Sequence, residues 1–150
     1  MFEAFRSQTC LTSKLIDALY CEALVLADEA RSAFGDADHD LPARQTLALS
    51  CESLRVTTRL MQIIAWLLNH KAYRAGELTL DQLYGEGRAL GHAVASDETQ
   101  ATLLPPDAAE LARSSEELYY RVQRIAARLA GRYQAEEPVH GMMDRIERAF

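Results

Sequence analysis

Arg55, Arg59, Gln62, Trp66, His70 and Tyr73 recur at helical spacing in the middle of the chain. Steps of four and three residues return close to one angle of an α-helix, so these side chains share a narrow stripe. Trp, Tyr and Arg carry much of the energy of protein contacts, because each buries a large area and keeps a polar handle. The stripe is therefore a candidate partner-binding surface, with Arg55, Arg59, Gln62, Trp66 and Tyr73 as its contacts. The competing reading is that residues 76–106 fold over it and that Trp66 is core. A second candidate is Met143, Ile146 and Phe150, whose i, i+3, i+7 spacing suits a helix laying anchors into a groove. A frayed amphipathic end gives the same pattern.

Signals for catalysis fail on spacing or context. No nucleophile elbow, phosphate-binding loop, zinc-protease pair or calcium loop occurs. The string GEGRALG, Gly85 to Gly91, approaches a dinucleotide fingerprint, but its last interval is one residue too long and no strand precedes it. Glu137 and His140 have the spacing of a di-iron ligand pair, with Pro138 between them and no second copy. His39 lies between Asp38 and Asp40 in a polar turn, and Cys10, Cys21 and Cys51 match neither a zinc knuckle nor a redox pair. No catalytic, cofactor-binding or metal-ligating residue is assigned. A helical-bundle metal-binding protein or enzyme is the alternative class. Arg121, Arg124, Arg128 and Arg132 form a basic stripe, read as a solvated face paired to Glu117 and the acidic first helix, or else as an acidic-ligand site.

The elements that position these residues are helices. Apolar residues recur at i, i+3, i+4, i+7 through three long segments, and period-2 alternation is almost absent, so the fold class is all-α. The first helix is expected from about Thr9 to Phe34, with Leu11, Leu15, Leu19, Ala23, Leu26 and Ala30 inward and Gly35 ending it. An acidic turn of Asp36, Asp38 and Asp40 follows. The second runs from Pro42 to about Ala75, stopped by Gly76, and is the central element. The third starts at Pro105, Pro106 and Asp107 and runs to about Tyr133, with Leu111, Leu118, Val122, Ile125 and Leu129 inward. A capping box, Thr79 with Gln82, opens a short helix through Leu83 in the second connection. The expected architecture is an up-down-up antiparallel three-helix bundle over residues 1–133. A C-terminal tail, 134–150, follows a linker at Glu136, Glu137 and Pro138.

Two apolar series run along the second helix: Leu47, Cys51, Leu54, Thr58, Met61, Ala65, Leu68, Ala72, and on nearly the opposite side Val56, Leu60, Ile63, Leu67. Such a helix needs cover on more than one side. A homodimer is expected, with Leu54, Met61, Ile64 and Leu68 at its interface.

The 150 residues are 49% apolar and 25% charged, with net charge −6 and pI near 5.2. That length supports one domain with its own core. The acidic balance opposes nucleic-acid binding. Leu60 to Leu68, the longest apolar stretch, is interrupted by Gln62 and falls short of the ~18 residues of a membrane span. The start, MFEAFRSQTC, lacks the pattern of a secretory signal. No membrane partner and a cytoplasmic location with reduced thiols are expected.

The string ESLRVTTRLMQIIAWLLNHKAYRAGELT, Glu52 to Thr79, resembles the alphaproteobacterial family that includes the regulator of CtrA degradation. Its specific part is T-T-R-L-M-Q followed by W-L-L and G-E, and weaker similarity extends through LYCEALVLADEAR and the LPP-led third helix. The resemblance implies a small non-enzymatic three-helix bundle that dimerises and serves as an adaptor for the ClpXP protease. It also implies bridging a protease primed by the CpdR response-regulator-like protein to cell-cycle cargo such as CtrA, and a functional C-terminal tail. It carries no catalytic residue.

Overall fold

The computed structural model describes residues 2–35, 40–147 and 149, with side chains described for 12–35, 40–136, 142, 145, 146 and 149. Three long helices, α1 (Phe2–Gly35), α2 (Ala43–Arg74) and α5 (Pro106–Glu147), pack against one another. Two single-turn helices, α3 (Leu80–Leu83) and α4 (Glu98–Ala101), lie in the connection between α2 and α5. No strand occurs among the described residues. The chain is all-helical.

Local chemistry sets the boundaries of α2. Pro42 stands at its N-cap, and its carbonyl accepts from the Gln45 and Thr46 N–H groups. At the far end Gly76 takes φ 80°, a left-handed conformation that costs glycine little. Its N–H donates to the Tyr73 carbonyl while that of Glu77 donates to the Ala72 carbonyl. This is the paired bonding of a Schellman stop. The expected capping box is present: Thr79 Oγ1 accepts from the Gln82 N–H, and Gln82 Oε1 from the Thr79 N–H.

α1 is antiparallel to α2: the short link 36–42 joins them, and Lys71 and Arg74 at the end of α2 hold Asp17 of α1 at 2.6 and 2.8 Å. α5 is antiparallel to α1, since Arg121 pairs with Glu22 while Tyr133 shares a cavity wall with Thr12. It follows that α5 runs parallel to α2. Arg59 reaches Ala112 and Ser115, and nearer the end of α2 Tyr73 borders the same cavity as Arg132. The expected up-down-up order is therefore corrected to up-down-down.

The physical reason lies in residues 75–105. Tyr84 sits beside His70, Gly91 bonds Gln62, and Ser96 bonds Glu52, so this crossover returns along α2 to its N-terminal half. The distance covered is only ~27 Å at 1.5 Å per helical residue, and some thirty residues can reach about four times as far.

Ile16, Leu19, Ala23 and Leu26 of α1 meet Val56, Leu60, Ile63 and Leu67 of α2 and Leu111, Leu118 and Val122 of α5 in one core. Leu15, expected inward, is exposed, and Ile16 takes that place. α1 begins at Phe2, before the expected Thr9, and α5 continues to Glu147, past the expected end at Tyr133. The linker expected at Glu136 to Pro138 is helical. Pro138 removes one backbone donor and crowds the carbonyl four residues before it, yet the chain is helical on both sides of it, through to Glu147. The acidic turn at Asp36 and Asp38 lies outside the described residues, as does His39. The side chains of Cys10, Leu11 and His140 do too.

His70 is buried between the rings of Trp66, 4.1 Å away, and Tyr84, 6.3 Å away. Burial lowers its pKa from 6.5 to about 4. Between those values the unfolded chain binds the proton better, so stability should fall as pH drops through this window, by ~3 kcal/mol over its width. The Asp17 carboxyl, held near 2 by hydrogen bonds from Arg74 and Lys71, gives up its stabilising contribution only below its ordinary value of 3.8. Urea midpoints measured from pH 7 to 4 should decline more steeply for the native sequence than for His70→Phe. Equal slopes would exclude His70 as the cause.

Candidate functional site

Arg59 is 1% exposed, and its planar fork is spent on fixed partners. One terminal nitrogen donates to the Ala112 carbonyl at 3.3 Å and to Ser115 Oγ at 2.6 Å, both on α5. The other donates to the Val94 carbonyl and to Ser96 Oγ, each at 3.1 Å, on the crossover. Carboxylate oxygens of Glu116 and Glu52 lie 3.5 and 3.9 Å away. Ser96 completes the cluster: its N–H donates to Glu116 Oε1 at 2.6 Å and its hydroxyl to Glu52 Oε1. Burial draws the guanidinium below its ordinary pKa, while Glu116 and Glu52 oppose that shift. An arginine starts so far above neutrality that it stays charged here. The result is a clamp joining α2, α5 and the crossover.

Further along the stripe, Gln62 Oε1 accepts from the Gly91 N–H at 3.1 Å, and the Tyr119 hydroxyl donates to the Gly91 carbonyl at 2.8 Å. A Cβ at Gly91 would lie 2.2 Å from Gln62 Oε1, so a side chain there would displace that amide. Trp66 is buried in the core that Leu90 and Ala93 of the crossover help to close. Arg55 is half-buried and bonds Glu52 at 3.2 Å, while Tyr73 is exposed at the end of α2. Thus the structure brings the stripe together, but beneath the crossover. Arg59 and Trp66 are not offered to a partner in this conformation, which corrects the expectation of a partner surface at those two positions. The signal in the sequence was the crossover itself, too long for a bare loop and bearing a glycine where it meets Gln62.

The opposite side of α2 is bare. Leu47, Leu54, Met61 and Leu68 are 66%, 70%, 65% and 45% exposed. They repeat every seven residues, with the small Cys51, Thr58, Ala65 and Ala72 at the intervening positions. Alternating steps of four and three are those of a coiled-coil seam. Ile64, grouped with this seam from sequence, is partly buried and packs against the core instead. In the C-terminal segment Ile146 is exposed. The Met143 side chain and Phe150 lie outside the described residues. On α5, Arg121 pairs with Glu22, as the acidic first helix suggested.

Among the described residues no group of three His, Cys, Asp or Glu side chains could hold a metal ion. Nor is any described helix long and apolar enough to cross a membrane.

Removing Arg59 would leave Glu52 with Arg55 as its cation and strip the buried Ala112 and Ser115 acceptors of the guanidinium donor. Arg59→Met is therefore expected to cost ~3–5 kcal/mol, as breaking one side of a buried ion pair does. In the double variant with Glu52→Gln the loss should be clearly smaller than the sum of the single losses, measured by denaturant unfolding. Additive losses would show that the two side chains do not form one unit.

Residues 7–150 match the model of a family described as Protein of unknown function (DUF1465). No match was found among curated proteins. Among solved structures the chain is similar to the crystal structure of RcdA from Caulobacter crescentus CB15, with 32% identity and a TM-score of 0.58. That match covers 76% of this chain and 90% of the other. With both the sequence family and the helical architecture in agreement, the chain belongs to the DUF1465 family, that of the regulator of CtrA degradation.

Proposed function

We propose that this chain is a non-enzymatic adaptor that works as a homodimer in the cytoplasm and helps deliver cell-cycle regulatory proteins to the ClpXP protease. The likeness to RcdA supports a role in regulated proteolysis. The observation that carries the reading is the exposed seam of α2. Large apolar side chains in four successive heptads, with small residues between them, suit close packing against a second helix of the same kind. Pairing two α2 seams around a two-fold axis would give each copy the cover that α1, α5 and the crossover do not supply. Leu54, Met61 and Leu68 form the centre of that contact, with Ile64 behind it.

An adaptor needs a second surface. The C-terminal segment, with the exposed Ile146 and, three residues before and four after it in sequence, Met143 and Phe150, is the proposed contact to cargo, to ClpX or to a CpdR-like response regulator, making residues 134–150 a functional extension of a 1–133 bundle. Tyr73 and Arg55 remain reachable from solvent and are kept as further contacts. Such a protein acts by raising the local concentration of cargo at the protease, which two modest interfaces achieve.

Sedimentation at micromolar concentration should return a dimer for the native sequence and a monomer for the double variant Leu54→Glu, Met61→Glu, with helical circular dichroism retained because both positions face solvent. A monomeric native protein would end the dimer reading. With purified ClpXP, a CpdR-like protein and cargo, adding the native chain should shorten the cargo half-life several-fold, and an unchanged half-life would end the adaptor reading.

A further inference from the structure

Where α2 stops, the chain closes around a cavity of about 260 Å³. Ile16 from α1, Leu83 and Tyr84 from the crossover, and Leu129 and Tyr133 from α5 supply its apolar and aromatic wall, while Thr12, Ser13 and His70 add polar edges. Tyr84 and Tyr133 stack at 4.5 Å, and the Tyr133 hydroxyl donates to Asp81 at 2.7 Å, which fixes the shape of that wall. The cavity is smaller than the ~300–1,000 Å³ of sites for drug-sized molecules, and is matched to a single large side chain.

The charged groups at its mouth are Arg74, Arg132 and Glu136, and Asp81 lies beside Tyr133. Arg74 is committed to Asp17 and Ser13. Arg132, on the rim, and Arg128 and Arg124 further along α5 are exposed and make no ion pair among the described residues. Glu136 is the acidic group on the rim. Together they set a row of positive charge along this face of α5 on a chain of net charge −6. Their spacing is also informative. Four residues of helix rise ~6 Å, close to the ~6.6 Å between alternate residues of an extended peptide.

We infer that this cavity docks one bulky apolar side chain of an extended acidic peptide, with carboxylates at alternate positions of the peptide held by Arg132 and then Arg128. This extends the adaptor reading, since such a peptide would belong to a delivered protein or an adaptor partner. Peptide binding itself involves no protease, so its failure and the failure of that reading are separately visible.

Trp66, the chain's single tryptophan, reports on the site, because its ring is 4.1 Å from that of His70 on the cavity wall. The probe is a fluorescein-labelled octapeptide with one Phe, followed by Asp at the next position and Glu two residues beyond. Polarisation should give saturable binding to the native chain, weakened at least tenfold by replacing the peptide Phe with Ser. The double variant Arg128→Glu, Arg132→Glu, at exposed positions that leave the fold intact, should weaken it equally. The unlabelled peptide should change Trp66 emission in the native chain. Absence of saturable binding at millimolar peptide would overturn the assignment. So would equal affinity for the Ser peptide or the double variant, an unchanged Trp66 emission at saturation, or self-association of the protein that depends on Arg132 and excludes the peptide.

Discussion

One buried guanidinium determines how the rest of this molecule is arranged. Arg59 sits on the central helix with almost no exposure, and a charge in that position has to be matched by acceptors held in place. Its acceptors come from two separate parts of the chain: the first turns of α5 and the stretch Val94 to Ser96 of the crossover. Satisfying both at once requires the N-terminal end of α5 to lie beside the first half of α2, and the crossover to run the whole way back to reach it. The parallel pairing of α2 and α5 follows.

That arrangement also decides which face of α2 is covered. The crossover and α5 occupy the side bearing Arg59, Gln62 and Trp66, and α1 joins them over Val56, Leu60, Ile63 and Leu67. Only the face of Leu47, Leu54, Met61 and Leu68 is left to solvent. An apolar face exposed in this way gains from association with another, and the seven-residue repeat gives it a definite register. One helix thus carries a buried polar clamp beside an apolar core on its inner side and an exposed apolar seam on its outer side.

Much of this was legible in the residues. The two apolar series of α2, the stop at Gly76 and the box at Thr79 and Gln82 are local patterns, and local hydrogen bonding and periodicity decide them. The direction of α5 was not legible, because nothing in a polar, irregular connection tells whether it turns back or travels. Arg59 and Trp66 were ambiguous for a related reason: Arg, Gln and Trp suit an interface between proteins and an interface within one. What decided between them was the segment placed opposite, whose Gly91 and Ser96 are informative only once their partners are known. The end of α5 was misplaced because Pro138, which removes a backbone donor and crowds the carbonyl four residues before it, weighs heavily as a breaker in sequence, while the helix runs through it to Glu147.

The clamp is tested most directly by hydrogen exchange at two crossover amides, Gly91 N–H on Gln62 and Ser96 N–H on Glu116. If Arg59 holds the crossover to α2 and α5, both amides are protected in the native chain. In Arg59→Met they lose protection at least a hundredfold, while amides in the middle of α1 and α2 lose far less. Rapid exchange at both amides in the native chain, or protection unchanged by Arg59→Met, would contradict the account.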